Sequence, residues 1–207
     1  MKLATLILLC TATLVPTVAT AQLVDDHLRV GGYLALGLGG EATASSGSLS
    51  SSDGLDPTVG FGLRMEGGVW DYVSIGANIE LLTMQTDAAG AERETVFDAD
   101  LWIRARYLIE ISRDELYLEP YIGMPFGLSI GVLQDIDGSG DDAWPGWNIG
   151  VLGGAYLLTN AGIGFFVEGG WRYHQLFTSG RVLGFDVDAE LSTHQFATQI
   201  GVVLITG

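Results

Sequence analysis

From Trp147 to His174 the chain reads WNIGVLGGAYLL, TNAG, IGFFVEGGWRYH, and in both long runs hydropathy changes at every second residue. In the second run Ile163, Phe165, Val167, Trp171 and Tyr173 share one face, while Gly164, Glu168, Gly170, Arg172 and His174 share the other. A period of two is the mark of a strand, whose side chains point alternately to opposite faces. One face carries the charged and small residues and the other is uniformly apolar. This is the pattern of a β-hairpin that encloses its polar side and shows its apolar side to hydrocarbon. A membrane helix is the competing reading, because 143–167 holds no charged residue and is long enough to cross a bilayer. Pro145, Asn148, the Thr159-Asn160 break and five glycines between Gly150 and Gly164 would interrupt such a helix throughout.

The same phase recurs along the chain. Leu28 to Gly39 opposes Val30, Leu34, Leu36 and Leu38 to Arg29, Gly31, Tyr33, Ala35 and Gly37. Thr58 to Val69 opposes Val59, Phe61, Leu63 and Met65 to Gly60, Gly62, Arg64 and Glu66. A third run sets Ile75, Ala77 and Ile79 against Ser74, Asn78 and Glu80. A fourth sets Phe97, Leu101 and Ile103 against Asp98, Asp100, Trp102, Arg104 and Arg106. The fifth, Leu116 to Gly131, carries Glu119 and Tyr121 inward. It includes Pro120 and Pro125, each of which removes a ladder donor and predicts a bulge or local distortion. The opening hairpin supplies strands six and seven, and Leu191 to about Thr206 is the eighth.

Between these runs the connections alternate long and short. The long ones are GEATASSGSLSSSDGLD, Gln85 to Glu94, LQDIDGSGDDAWPG and Thr178 to Glu190, all read as loops without periodicity. Outer-membrane barrels have this asymmetry and an even strand number, with short periplasmic turns and longer external loops. Unpaired backbone polar groups are not tolerated in hydrocarbon, so the first and last strands must also pair. The expected fold is therefore all-β, an eight-stranded antiparallel up-and-down transmembrane β-barrel.

Eight strands leave a bore just wide enough for side chains, which accounts for 30 glycines in 207 residues. Eleven charges fall on the inward phase: Arg29, Arg64, Arg104, Arg106 and Arg172 against Glu66, Glu80, Asp98, Asp100, Glu119 and Glu168. Five positive and six negative groups nearly cancel, as a buried network requires. They predict a polar network that plugs the lumen, with an ion path as the alternative, and His174 is expected as a hydrogen-bonded lumen residue. Trp70, Tyr72, Tyr107 and Tyr117 beside the short turns, with Trp144, Trp147, Tyr173 and Phe177 toward the other end, are expected to form two interfacial girdles.

The N-terminal stretch has Lys2, an apolar run from Leu3 to Val15, and Ala19-Thr20-Ala21 before Gln22. It reads as a cleaved secretory signal peptide over 1–21, leaving a barrel domain over 22–207. Cys10, the sole cysteine, lies within that leader. Losing Lys2 takes the formal charge from −16 to −17. Nucleic acid is excluded as a partner, because phosphate binding needs a basic surface.

Through its eight alternating segments, with LEPYIGMPFGLSIG and GAYLLTNAGIGFFVEGGWRY as the most family-like wording, the chain resembles the small eight-stranded outer-membrane barrels of Gram-negative bacteria, the OmpA/OmpX type. The resemblance implies export to the bacterial outer membrane, contact with its lipid and lipopolysaccharide, and a monomer. It departs from that family at Gly207, where the chain ends LITG and such barrels usually end on an aromatic residue.

Three further site expectations come from the loops and the last strand. Asp135, Asp137, Ser139 and Asp141 stand at positions 1, 3, 5 and 7 of a calcium-loop spacing with Gly140 at position 6. Position 12 is Gly146, so the expectation is at most weak Ca²⁺ binding and otherwise no cofactor. Ser192 and His194 lie two apart on one strand face, as in lipid A deacylase barrels but in reversed order and without an assigned carboxylate. The four long loops carry 13 acidic residues against Arg93 and Arg181, a formal −11, a field that gathers cations and steers basic partners. The functional expectation is a non-enzymatic barrel with a structural or surface-interaction role through acidic extracellular loops and an unidentified extracellular partner. A narrow conduit for ions or small apolar molecules is the alternative, and a lipid A-modifying enzyme the lesser one.

Overall fold

The computed structural model describes residues 27–86, 93–113, 115–134, 141–182 and 185–206. The signal-peptide segment lies outside them. The described chain is all strand: β1 (Leu28–Ser46), β2 (Leu49–Gly54), β3 (Thr58–Trp70), β4 (Val73–Met84), β5 (Glu94–Arg106), β6 (Ile109–Ser112), β7 (Leu116–Gln134), β8 (Asp141–Thr159), β9 (Ile163–Val182) and β10 (Phe185–Thr206). No described helix is long and apolar enough to cross a membrane. Eight of these strands form one antiparallel cycle, β1-β3-β4-β5-β7-β8-β9-β10, closed by β10 on β1 from Leu28↔Thr206 upward. The chain is an eight-stranded antiparallel β-barrel, with β2 and β6 as short additions on β1 and β7.

Burial follows the sequence phase. Leu34, Phe61, Ile79, Leu101, Ile122, Phe165 and Ile200 are exposed on the outer wall, while Arg29, Arg64, Glu80, Asp98, Glu119 and Arg172 are buried within. A soluble domain would invert this, so the outer wall is built for hydrocarbon.

Three expectations are corrected. The stretch after Gly39 is not a loop. β1 continues to Ser46 and turns back as β2, after a register shift between Leu38 and Gly40. Gly39 and Gly40 have φ of 60° and 136°, backbone angles that glycine adopts without a Cβ penalty. The bulge moves the buried phase from odd residues to even ones, so Ala42 is buried. Thr178 to Glu190 is likewise not a free loop, since β9 and β10 run on as a hairpin to Val182↔Phe185. β8 pairs β9 only as far as Gly146↔Leu176. Beyond that level β2, β1, β10 and β9 form a four-stranded sheet standing above the barrel rim.

The third correction concerns the connection LQDIDGSGDDAWPG: β8 begins at Asp141 and pairs with β7 from Gln134↔Asp141 onward, so 141–146 is strand and not loop. β7 itself shows the expected local distortion, without a bulge. Its register with β8 is the same on both sides of Pro125, but the pairing lapses at Met124 and Pro125. The Tyr107 amide donates to the Pro120 carbonyl at 3.1 Å, so Pro120 turns its polar edge toward the β5–β6 side. Five residues on, Pro125 turns its edge toward β8 and has no N–H to offer.

Close inter-strand approach is concentrated at glycine. A Cβ at Gly170 would lie 2.1 Å from the Val151 carbonyl oxygen, whereas one at Gly153 meets nothing nearer than 3.7 Å. Gly170→Val is therefore expected to abolish the heat-modifiable band that a folded barrel gives on detergent gels, while Gly153→Ala keeps it. An unchanged band in Gly170→Val would contradict the wall packing described here.

Candidate functional site: a filled lumen and an acidic rim

The alternating phase delivers all eleven inward charges to the lumen, each buried. Nearest the termini, Leu158, Val203 and Ile205 form an apolar floor against which Leu108 and Tyr117 pack. Above it Arg29 holds Glu119 with two bonds, Nη1 to Oε1 at 2.5 Å and Nη2 to Oε2 at 2.8 Å. Arg106 adds a third at 3.3 Å. Glu66 accepts from Arg104, from Ser74 at 2.6 Å and from Tyr156 at 2.9 Å. Glu168 accepts from Arg64 and from Tyr121 at 2.5 Å. The Arg64 guanidinium also lies 4.2 Å from the Phe166 ring centre and 5.0 Å from that of Trp102, so its faces are covered by aromatic rings.

A second cluster sits toward the loops. Arg172 donates to Asp98 at 3.1 Å and to Asp100 at 2.9 Å, and pairs with Glu80 at 2.5 Å. Ser129 donates to Asp98 at 2.6 Å and Asn148 to Asp100 at 2.8 Å. His174 Nε2 lies 2.9 Å from Asp98 Oδ2, so this histidine is a hydrogen-bonded lumen residue. Gln199 joins the two clusters, accepting from Arg64 at 2.8 Å and donating to Glu80 at 2.8 Å. The lower cluster has four arginines against three carboxylates and the upper has one against three.

Over the upper cluster lies an apolar cap of Leu82, Met84, Val96, Leu133, Trp144 and Leu176. Trp144 is thereby removed from the expected girdle: in β8 the even-numbered residues face inward, so its ring fills the cap. Tyr117 shares the inward phase of Glu119 and Tyr121 and packs partly buried against the core. The girdles that form are Trp70 with the stacked Tyr72 and Tyr107 at one end, and Trp147, Trp171 and Tyr173 at the other.

The bore is filled to its wall. A Cβ on Gly37 would lie 2.0 Å from Gln195 Oε1, and one on Gly62 would lie 2.3 Å from the Tyr33 ring. Tyr156, Asn148 and Gln199 complete the network without carrying charge, so inward charges alone do not reveal them. Their signal in the sequence is phase: Tyr156 and Asn148 share the inward phase of Glu168 across the β8–β9 hairpin, and Gln199 pairs with Glu168 across the β9–β10 hairpin.

Ser192 and His194 are on the outward phase. His194 is exposed and lies opposite Glu41 in the β1–β10 register, while the Ser192 hydroxyl donates to the Thr43 carbonyl at 3.5 Å. Asp135 and Asp137 lie outside the described residues, as does the Asp141 side chain, and among the described residues no group of three or more His, Cys, Asp or Glu side chains is arranged to hold a metal ion. On the sheet above the rim, Glu41, Asp53, Asp188 and Glu190 are exposed.

Replacing Arg172 isolates three buried carboxylates, and removing one partner of a buried ion pair costs about 3–5 kcal/mol. Arg172→Met should lower stability by about that amount in reversible urea unfolding in lipid vesicles. Glu80→Gln, which keeps an acceptor for Gln199, should cost less. Equal losses in the two variants would contradict Arg172 as the hub of the upper cluster.

No protein-family model matches the chain, and no curated protein matches it. Solved structures do. The outer membrane protein AlkL, determined by solid-state NMR in lipid bilayers, is 16% identical, covering 90% of this chain and 93% of that one, with a TM-score of 0.52. The outer membrane protein OprG from Pseudomonas aeruginosa is 6% identical over 88% of this chain and 96% of that one, with a TM-score of 0.51. Neisserial surface protein A is 16% identical over 84% and 96%, with a TM-score of 0.39. The first two establish that the fold is that of the outer-membrane β-barrels.

Proposed function

We propose that this chain is an integral outer-membrane protein in which the barrel is a closed, non-conducting anchor and the acidic sheet above its rim is a recognition surface, without catalytic activity. The observation that carries this reading is the lumen. Eleven charges, five positive and six negative, pair with one another between an apolar floor and an apolar cap, and an aqueous path would have to break both the cap and the Gln199 bridge. Function is then displaced to what stands outside the membrane. The sheet of β2, β1, β10 and β9 holds Glu41, Asp188 and Glu190 on one face in fixed register, with Asp53 exposed on the other, which supports binding of a cationic partner by electrostatic steering. The proposed orientation puts this sheet on the cell exterior, since the short connections face the periplasm in such barrels.

Purified chain in planar bilayers should give no stable conductance steps, and lipid A from expressing cells should keep its mass. Binding of a fluorescent oligolysine peptide should fall steeply with salt. It should be lost on combined Glu41→Lys, Asp53→Lys, Asp188→Lys and Glu190→Lys. Stable conductance steps would overturn the closed anchor. Altered lipid A restored by Ser192→Ala would overturn the non-enzymatic reading.

A further inference from the structure

The outer wall is not uniformly convex. Between β5, β7 and β8 it carries a groove of about 500 Å³ lined by Ala99, Leu101, Phe126, Leu128, Trp147 and Ile149. One local feature accounts for it. Ala99, paired with Leu128, supplies only a methyl group among larger outward neighbours. Just toward the termini the β7–β8 ladder lapses at Met124 and Pro125. The groove lies in the half of the wall nearer the long connections, because Leu128 pairs with Trp147 close to the level where β8 leaves β9.

Beside the groove, on its β9 side, stands a ladder of rings that starts at Trp147. The Trp147 and Tyr173 centroids are 5.4 Å apart, and Tyr173 stacks on Trp171 at 5.9 Å with 20° between planes. The polar edge of the ladder continues away from the apolar band. The Tyr173 hydroxyl donates to Gln175, whose amide donates to Glu190 at 3.1 Å. An apolar trough, a flat aromatic surface and an amide–carboxylate edge therefore follow one another along one side of the barrel.

We propose that this is a binding site for an uncharged glycolipid, with an acyl or alkyl chain in the groove and a sugar ring over Trp147 and Tyr173. The ring's apolar face meets the aromatic faces, and its hydroxyls donate to Glu190 and accept from Gln175. A phosphate head is disfavoured, because the Glu190 carboxylate would repel it. A second copy of the chain is disfavoured by size, since the groove is far smaller than the roughly 20–30 residues a side of a standard interface. The site rests on the outer-membrane reading above, which puts hydrocarbon against this wall.

The test uses the full chain in nanodiscs with three photoactivatable probes: a long-chain alkyl glucoside, the corresponding alkane and a phosphatidylglycerol, each with a diazirine in its chain. Saturable glucoside adducts are expected on the β5 and β7 peptides carrying Leu101, Phe126 and Leu128. Ala99→Phe should cut this labelling about ten-fold, the effect of displacing roughly two buried methylenes. Trp147→Ala, which removes groove lining and ring surface together, should reduce glucoside labelling about three- to ten-fold and reduce alkane labelling less. Adducts spread evenly around the outer wall, equal labelling by phosphatidylglycerol, no response to Ala99→Phe, or a cross-linked chain dimer in place of a lipid adduct would each overturn the site. Loss of the heat-modifiable band in the parent chain would instead sink the membrane-barrel reading beneath it.

Discussion

Everything in this molecule depends on one requirement: inside hydrocarbon, each backbone N–H and C=O must find a partner within the protein. The β1–β10 pairing from Leu28↔Thr206 upward meets it by closing the sheet on itself. Closure at eight strands then dictates a narrow bore, and the bore dictates its contents. Side chains that cannot point into lipid must share a space in which a Cβ on Gly37 or Gly62 already collides with a neighbour. The lapse in the β7–β8 ladder, at Met124 and Pro125, falls beside the groove in the outer wall.

The ionic lumen follows from the same constraint without being its source of stability. Burying an ion pair offsets desolvation only when geometry and accessory hydrogen bonds are good, and the accessory bonds are present here from Ser74, Tyr156, Tyr121, Ser129 and Asn148. Such a network favours one register. Sliding β3 or β9 by one residue would put Arg64 or Glu168 into lipid and bring Leu63 or Val167 inward.

The barrel was legible in the sequence because its two environments differ so sharply that the phase of each strand can be counted. The limits of legibility have physical causes. The counting fails at Gly39-Gly40, where a bulge shifts the phase by one and the strand beyond it meets water on its outer face. It fails again from Thr178 to Glu190, where polar residues on an exposed hairpin show no alternation although they are paired as regularly as the wall. Trp144 departs from the girdle expected of an aromatic residue because its place on the inward phase of β8 decides its face. Tyr156, Asn148 and Gln199 were passed over because a network sought through charge omits the neutral groups that satisfy it. The groove was invisible for a different reason: it depends on which outward residues of three separate strands become neighbours, and that is decided by register alone.

The bulge at Gly39-Gly40 has a kinetic and entropic meaning. Because β1 crosses the rim without a flexible joint, and β10 and β9 accompany it in register, the acidic sheet is covalently and rigidly continuous with the membrane wall. Its conformational entropy is lost once, when the barrel folds, and not again at each encounter with a partner. Anything that docked on such a sheet would find it already shaped, because the strands that close the barrel also hold it.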